Sequence, residues 1–424
     1  MATMKYRLSI VFLFSLIIVF LFSIFGPFNY TVFSESGILY LLFCSTLFFC
    51  GLSIRGVKIR RGPRKKEYRH YVLTKQGQTV IVFLAFVVIV AAFTHLFRVA
   101  RLNLGSFAFA EGDFRAAITE NRDNFSRLTE LLMHLSAPVY LVARSSDNKF
   151  SKKSNVVINT AFWIVPLVYL GEGARWSIFF HIVLFFTFRR CRWQKKSVSG
   201  KKLVGGIVLS IALLYVLSLV FNLFVVRGSY TADRLQFFDR GDVTLKTWAD
   251  TLYKTNPTFY NPIWKIFNYF GQSVSIFSYV FKNYDPAYPK TFGLNNLNVI
   301  QYLLIPFGYS TAEYKKLVLG MPGAGYYSSF VTGYILDFGI YFAPLMIFIT
   351  GVLFRTVEKN YNTSLFARNL YYLLVPMCLV APIYNMWQVG SVNIDIFLLL
   401  ILTWSFKHIT IGDARMIEYQ IVDT

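Results

Sequence analysis

Acidic residues are scarce in this chain of 424: Asp and Glu number 21 against 43 Lys and Arg, and charged residues of both signs make up only 15%. Soluble globular proteins carry about 25% charged residues. So small a share, beside 55% hydrophobic and 18% aromatic residues, excludes an ordinary soluble protein. Cysteine is also rare, four residues in all: Cys44 and Cys50 in one apolar run, Cys378 in another, and Cys191 in a basic segment. No two of these are expected to pair across an oxidising compartment. There is no Cys-x-x-Cys, no His/Cys ligand spacing, no glycine-rich phosphate loop, no Walker motif and no Gly-x-Ser-x-Gly elbow. These absences speak against a metal centre, a nucleotide-powered machine and a serine hydrolase, and no cofactor is expected.

What the chain has instead is long apolar runs. Leu8 to Phe25 (18 residues), Ile38 to Ile54 (17), Thr79 to Phe97 (19) and Leu203 to Val226 (24) are free of Asp, Glu, Lys and Arg. Each approaches the roughly 20 residues that cross a ~30 Å hydrocarbon core as a helix. Weaker candidates are Leu128 to Ala143, Asn155 to Leu170, Trp176 to Phe188, Ser328 to Phe354, Leu370 to Gly390 and Ile394 to Phe406. The expectation is an all-α polytopic membrane protein with about ten spans (range about ten to twelve). Lys5 and Arg7 precede the first run, which is long for a signal-peptide core and has no small-residue cleavage site after it, so it is expected to remain as an anchor. Residues 1–226 then form an N-terminal bundle, 227–327 a large loop, and 328–424 a C-terminal bundle and tail.

The formal charge of +22 invites a nucleic-acid reading, but apolar runs of this number exclude a freely soluble binder of that class. Topogenesis accounts for most of it, because Lys and Arg in short loops stay on the cytoplasmic side. With the N-terminus inside, 27 of the 43 positive residues fall in inner segments, densest at Arg55 to Lys75, Arg144 to Lys153 and Arg189 to Lys202. The C-terminus is then cytoplasmic as well. The other 16 lie outside, and nine of them are arginines.

The outer side carries the chemistry-bearing residues. The segment from Arg227 to Tyr327 is far longer than a connection requires, and such loops are usually functional. It holds 12 of the chain's 27 tyrosines, among them Tyr253, Tyr260 and Tyr326, with Trp248, Trp264, Asn295, Asn296, Asn298 and Gln301. Rings beside amides and hydroxyls suit sugars, whose C–H faces pack on aromatics. The competing reading is an aromatic belt at the membrane interface, since Ile263 to Phe281 and Leu297 to Phe307 read as half-embedded. Outer arginines form a second constellation: Arg98 and Arg101 follow His95 at spacings of three, and Arg227, Arg234 and Arg240 flank the loop. A guanidinium binds phosphate bidentately and stays charged, which fits an anionic lipid-linked substrate. Salt bridges to Glu111, Asp113, Glu120, Asp123 and Asp233 are the alternative.

Arg175 stands apart, in the turn Gly171-Glu172-Gly173-Ala174-Arg175-Trp176. The flanking apolar runs, read as 16 and 13 residues, give only about 24 and 20 Å of helix. The turn is therefore expected below the membrane surface, where an arginine is costly and marks a functional site. An Arg175–Glu172 pair closing a structural turn is the plainer reading. Further ionisable residues at membrane depth are Glu130, His134, His181, Asp337 and Asp395. His181 reads as a hydrogen-bonded packing residue. Asp337, in Gly333-Tyr334-Ile335-Leu336-Asp337-Phe338-Gly339, either faces a cavity or fastens a neighbouring segment.

The Gly-x-Gly-Ala-Arg turn after a mid-chain span resembles the Gly-Ser-Arg type turn of bacterial oligosaccharide repeat-unit polymerases, the Wzy or O-antigen polymerase group, with Ala174 departing from the commoner Ser. Asn261-Pro262 followed by an apolar helix, and Pro322-Gly323-Ala324-Gly325-Tyr326-Tyr327-Ser328-Ser329 leading into Tyr334 and Asp337-Phe338-Gly339, are similar to that group's large periplasmic loop and the stretch after it. The resemblance implies a metal-independent, GT-C-like glycosyltransferase of the bacterial inner membrane. Such an enzyme joins undecaprenyl-pyrophosphate-linked repeat units into O-antigen or capsular polysaccharide, alongside a chain-length regulator protein and without nucleic acid. Carried onto this chain, it makes Arg175 the principal pyrophosphate ligand, assisted by Arg227 and by Arg98 or Arg101, with Arg234, Tyr253, Tyr260, Tyr326 and Asp337 at the substrate. Glu172, His134 and Asp233 are candidates for the base. An O-antigen ligase and a lipid-linked oligosaccharide flippase are the rivals. A ligase's loop would be expected to hold a histidine, and this loop has none. A flippase predicts inverted repeats with matching broken helices, and the sequence displays no such symmetry.

Overall fold

A computed structural model of the chain describes residues 7–30, 34–54, 72–98, 124–146, 148–171, 175–192, 243–297, 299–300, 329–362, 364–387 and 392–409. The expected span Leu203 to Val226 lies outside the described residues. The first run becomes α1 (Leu8–Phe25) and stops at Gly26-Pro27, since proline drives the residue before it out of the helical region. A short strand β1 (Phe28–Tyr30) follows, then α2 (Glu35–Ser53), whose N-terminus is capped by the Ser34 hydroxyl accepting from Gly37 N at 3.3 Å. Next come α3 (Lys75–Arg98), α4 (Asn124–Met133), α5 (Ser136–Ser145), α6 (Lys152–Gly171) and α7 (Arg175–Arg192). The long segment contributes β2 (Val243–Leu245), α8 (Thr247–Thr255) and α9 (Pro257–Lys282). The chain continues in α10 (Phe330–Lys359), α11 (Leu365–Val380) and α12 (Val392–Ile409). Among the described residues, Leu8–Phe25, Glu35–Ser53, Lys75–Phe97 and Phe330–Lys359 are long and apolar enough to cross a membrane, and Ser177–Arg189, Leu365–Val380 and Val392–Ser405 are shorter apolar helices. The protein is thus a mostly helical membrane protein, with one two-stranded ribbon among the described residues.

Ser328 to Phe354 reads in sequence as one span, and here the structure corrects the sequence. Gly339 has φ 74° and ψ 168°, a region closed to side chains bearing Cβ, and the chain reverses there. Residues 330–338 fold back on 340–359: Tyr334 Oη donates to Thr350 Oγ1 at 2.7 Å, and Phe330 and Phe354 both pack on the Phe48 ring, at 5.2 and 5.8 Å. Hydropathy missed the reversal because both legs of the hairpin are apolar. Only 340–359 keeps crossing length, about 30 Å at 1.5 Å per residue. Pro344 in its first turns cannot bond the Ile340 carbonyl. Tyr40 Oη of α2 donates to that carbonyl instead.

α2 lies along 340–359 in parallel, from Tyr40 at Ile340 to Ile54, whose carbonyl accepts from Arg355 Nε at 3.4 Å. The two helices touch backbone to backbone: a Cβ on Gly51 would lie 2.5 Å from the Phe348 carbonyl oxygen, and one on Gly351 2.6 Å from that of Phe48. Small residues at membrane crossings permit this approach. A parallel pair means that Glu35 and Ile340 sit on one side of the membrane, called here the loop face. The antiparallel ribbon, with Phe28 opposite Leu245 and Tyr30 opposite Val243, ties the long segment to the same face. Lys246 reinforces the tie, donating its backbone N–H to Pro27 O at 2.8 Å and its Nζ to Ile24 O at 2.7 Å.

α9 lies across the ends of α1 and α2. Its Phe267 packs on Phe22 at 4.7 Å, Gly271 O accepts from Ser23 Oγ at 2.7 Å, Ser278 faces Gly37, and Phe281 packs on Tyr40 at 4.9 Å. Beside it, Phe28, Tyr30, Ala249 and Trp264 form a small core under the ribbon. The buried Tyr30 hydroxyl donates to Asn268 Oδ1 at 3.0 Å, and burial pushes this phenol up from its ordinary value.

α1, α2, α9 and α10 form one group of packed helices and α3 to α7 another, with α11 between them and α12 packed on α11 and α5. Every residue of α11 from Ala367 to Cys378 is buried. On the face opposite the loop, Asn148 Nδ2 donates to Leu73 O at 2.8 Å, and Arg144 reaches Asn155 and Asn159 at 2.6 and 2.7 Å.

Two further expectations change. Leu128 to Ala143 is not one helix but α4 and α5, broken at His134 and Leu135. The helices flanking the Arg175 turn have 20 and 18 residues, about 30 and 27 Å, because Lys152, Lys153, Arg189, Arg190 and Arg192 extend them beyond their apolar runs. The length argument for sinking that turn into the membrane therefore falls.

Candidate functional site at the helix breaks

Proline sets the break between α4 and α5. Pro138 has no N–H to give the His134 carbonyl, so the ladder lapses there: Leu135 N turns to Leu132 O at 3.1 Å, and bonding resumes with Val139 N to Leu135 O at 2.9 Å. α11 stops the same way, at Ala381-Pro382. Phe330 N at the start of α10 donates to Ala381 O at 2.8 Å, joining the half helix 330–338 to this second break. Irregular backbone at membrane depth is tolerated only within protein or along a watery cavity.

At these breaks His134 meets Asp395 in the first turn of α12. His134 Nδ1 lies 3.0 Å from Asp395 Oδ1, and the two residues are 8% and 2% exposed. With a carboxylate on Nδ1, that nitrogen carries the hydrogen and Nε2 presents its lone pair. Nε2 faces the Tyr169 hydroxyl of α6 at 3.4 Å. This arrangement orients an imidazole for proton transfer at Nε2. His181 is different: its Nδ1 bonds Ser177 O at 2.8 Å, one turn back on its own helix, and its ring packs against Phe162 at 5.0 Å and Phe180 at 5.9 Å. That is the geometry of a packing residue.

Asp337 fastens a segment. Its carboxylate accepts from Thr291 Oγ1 at 2.5 Å, Asn295 N at 2.9 Å and Asn296 N at 3.0 Å. Thr291 N and Phe292 N in turn cap Leu336 O and Asp337 O, at 3.2 and 2.9 Å, closing the last turn before the reversal. Both carboxylate oxygens thus accept from the protein, which is the fastening role among the two expected of Asp337. Asn296, so held, accepts at Oδ1 from Asn385 Nδ2 at 2.9 Å, and its carbonyl accepts from Asn393 Nδ2 at 3.3 Å. Gly333 makes the room, since a Cβ there would lie 2.4 Å from both Asn296 Oδ1 and Asn385 Nδ2. Trp387 Nε1 donates to Tyr334 Oη at 2.8 Å.

The other expected site residues divide three ways. Glu172, Asp233, Arg101, Arg227, Arg234 and Tyr326 lie outside the described residues. Arg98 and Arg175 are described through their backbone only, Arg98 closing α3 and Arg175 opening α7. Tyr253 and Tyr260 belong to the small core under the ribbon, Tyr260 stacked on Trp264 at 5.5 Å, so their rings are partly committed to protein contacts. Of the four candidate catalytic residues, His134 alone has a described side chain. Asp395, Tyr169 and the asparagines were missed as partners. Asp395 was visible as a lone carboxylate opening an apolar run, but nothing local pairs it with a histidine 261 positions away. Among the described residues no group of three His, Cys, Asp or Glu side chains could hold a metal ion. Compared with known protein families, curated proteins and solved structures, the chain matches none.

Proposed function

We propose that this membrane protein polymerises polyprenyl-pyrophosphate-linked oligosaccharide repeat units into surface polysaccharide on the outer side of a bacterial inner membrane. The reading takes about ten spans, cytoplasmic termini and the loop face outside. The observation that carries it is the buried His134–Asp395 pair at two helix breaks, linked through Asn393 and Asn296 to the long loop-face segment. In the proposed step an acceptor sugar hydroxyl attacks the anomeric carbon of the growing chain. The new C–O bond forms as the bond to the lipid pyrophosphate breaks; the hydroxyl proton passes to His134 Nε2, and the electron pair leaves with the pyrophosphate. Asp395 stabilises the resulting imidazolium. Arg175 is the proposed pyrophosphate ligand, since a fixed guanidinium opposes the charge that grows on the leaving group.

One observation favours a second reading, a carrier of lipid-linked glycans. The half helix 330–338 and the breaks at His134 and Ala381 are features of transporters. The banding pattern of surface polysaccharide separates the two. Loss of the gene leaves surface glycan capped with single repeat units if the chain is the polymerase, whereas loss of all surface glycan points to a flippase or ligase. Arg175→Lys keeps the charge and loses the fork. It should greatly reduce polymerisation at normal membrane abundance, and full activity would remove Arg175 from the step.

A further inference from the structure

The asparagine cluster at the start of α12 holds two polar atoms that have no partner among the described residues. Asn296, Asn385 and Asn393 are 4%, 6% and 3% exposed. Their amide orientations are set by backbone groups of fixed polarity. Trp387 N donates to Asn385 Oδ1 at 3.1 Å, which makes Nδ2 the atom facing Asn296 and Oδ1 the atom Asn296 offers. Asn393 points one atom at two carbonyls, Trp387 O at 2.8 Å and Asn296 O at 3.3 Å, so that atom is Nδ2. Asn296 Nδ2 and Asn393 Oδ1 are left over, and neither has a partner among the described residues. A buried donor and a buried acceptor without partners are costly at any depth in a protein, and more so where the surroundings are lipid.

We propose that Asn296 Nδ2 and Asn393 Oδ1 form a sugar subsite that takes one hydroxyl or N-acetyl amide of a glycan. The free pair selects the class. One donor and one acceptor, on side chains joined by the Asn393 Nδ2 to Asn296 O bond, match a group that both accepts and gives a hydrogen bond; an anion would call for donors alone and a cation for acceptors alone. Asp337 rigidifies the subsite through Asn296 N, and Gly333 supplies its floor. Asn393 precedes Asp395 by two residues in the first turn of α12, about 200° around the helix, so the subsite and the His134–Asp395 pair occupy opposite sides of one turn. The identity of the ligand rests on the glycan reading above; the existence of the subsite rests on the amide geometry.

The test uses the full chain in lipid nanodiscs, titrated with maltopentaose, which offers hydroxyls, and chitopentaose, which adds N-acetyl amides. At ten times its dissociation constant, at least one should raise the melting midpoint by about 2 °C. Asn393→Ala and Asn296→Ala should each weaken that binding about tenfold, the loss of one well-made hydrogen bond. Should either variant fail to fold, tryptophan emission decides: the change caused by glycan should disappear in Trp387→Phe, whose backbone is held by Asn385 and Asn393. Absence of any shift with both oligosaccharides overturns the subsite, as does unchanged affinity in the folded variants or an emission change that survives Trp387→Phe. Binding is read without turnover, so a chain that binds glycan yet leaves long polysaccharide intact on deletion would keep the subsite and lose the polymerase.

Discussion

Where α2 meets α10, two helices touch through glycines and phenylalanine rings; where α5 meets α12, they touch through an imidazole and a carboxylate. Both contacts are buried at membrane depth. The middle of the first is apolar, because Gly51 and Gly351 let the backbones close and Phe48 fills the seam, while its hydrogen bonds, Tyr40 to Ile340 and Arg355 to Ile54, lie at the two ends. The second accepts ionisable groups that lipid makes expensive, and it sits where proline has interrupted the helices. The difference separates what holds the bundle together from what it is built to do. Variants in the seam should act on folding and leave chemistry alone, and variants at the breaks should do the reverse.

The largest effect is expected in the seam. Gly51→Leu drives a branched side chain into the Phe348 carbonyl, where a Cβ alone would already be 2.5 Å away. Overpacking a fitted contact costs about 1–3 kcal/mol, and here the obstacle is backbone, which cannot rotate aside. The yield of monodisperse protein after detergent extraction should collapse, with the same result for Gly351→Leu. Normal yield and melting would show the seam to be loose.

At the breaks the expectation is inverted. Asp395→Asn keeps size and shape but removes the charge that supports an imidazolium at His134. Polymer output should drop about 100-fold, within the usual contribution of a positioned acid–base group, while extraction yield stays near wild type. His134→Gln should lose at least as much. A variant that polymerises normally would reduce the pair to a packing device, and one that loses yield and activity together would erase the contrast with the seam.

Legibility followed the same division. Leu8 to Phe25 appears in the sequence with the ends it has in the structure, and α2 and α3 were found within a few residues, because an uncharged run of span length has one low-energy solution in lipid. Direction was not legible. A reversal at Gly339 leaves hydropathy unchanged, and a glycine in an apolar run is common enough that its φ of 74° is known only from the fold. The break at His134 has a local sign in Ser136-Ala137-Pro138, but apolar residues continue on both sides and mask it. Partners such as Asp395 and Asn296 come from distant segments, and single-sequence spacing says nothing about them. The tyrosines of the long segment are legible as aromatic surface, but not that Tyr253 and Tyr260 spend part of that surface on the small core under the ribbon.

Asp337 tests the border between the two regions, since it is ionisable but structural. Asp337→Asn keeps an acceptor for at most two of its three hydrogen bonds and sets an N–H against another donor, the Asn295 or Asn296 amide. Charge-assisted bonds to a carboxylate contribute about 1.5–3 kcal/mol, so a fall of about 2 kcal/mol in unfolding free energy is expected, with faster proteolysis between residues 283 and 297. Activity should decline only as far as the folded fraction does. A far larger loss of activity at full stability would return Asp337 to the chemistry.

The smallest effect belongs to the contact that resembles the catalytic candidate most closely on paper. Lys254 Nζ and Asp250 Oδ2 are 2.6 Å apart, a shorter distance than His134 to Asp395, and stand one turn apart on α8. Their side chains are 73% and 40% exposed. Water and salt screen such a pair, and holding two flexible side chains together costs entropy, so exposed pairs contribute about 0–1 kcal/mol and helical ones about 0.3–0.5. Lys254→Ala should therefore move the melting midpoint by less than about 1 °C, with no effect on polymer output at any ionic strength. A carboxylate at hydrogen-bond distance from a side-chain nitrogen thus predicts a negligible effect in one place and a hundredfold effect in the other. Burial makes the difference, and a large effect at Lys254 would show that the loop face uses its charges in a way the buried pair does not explain.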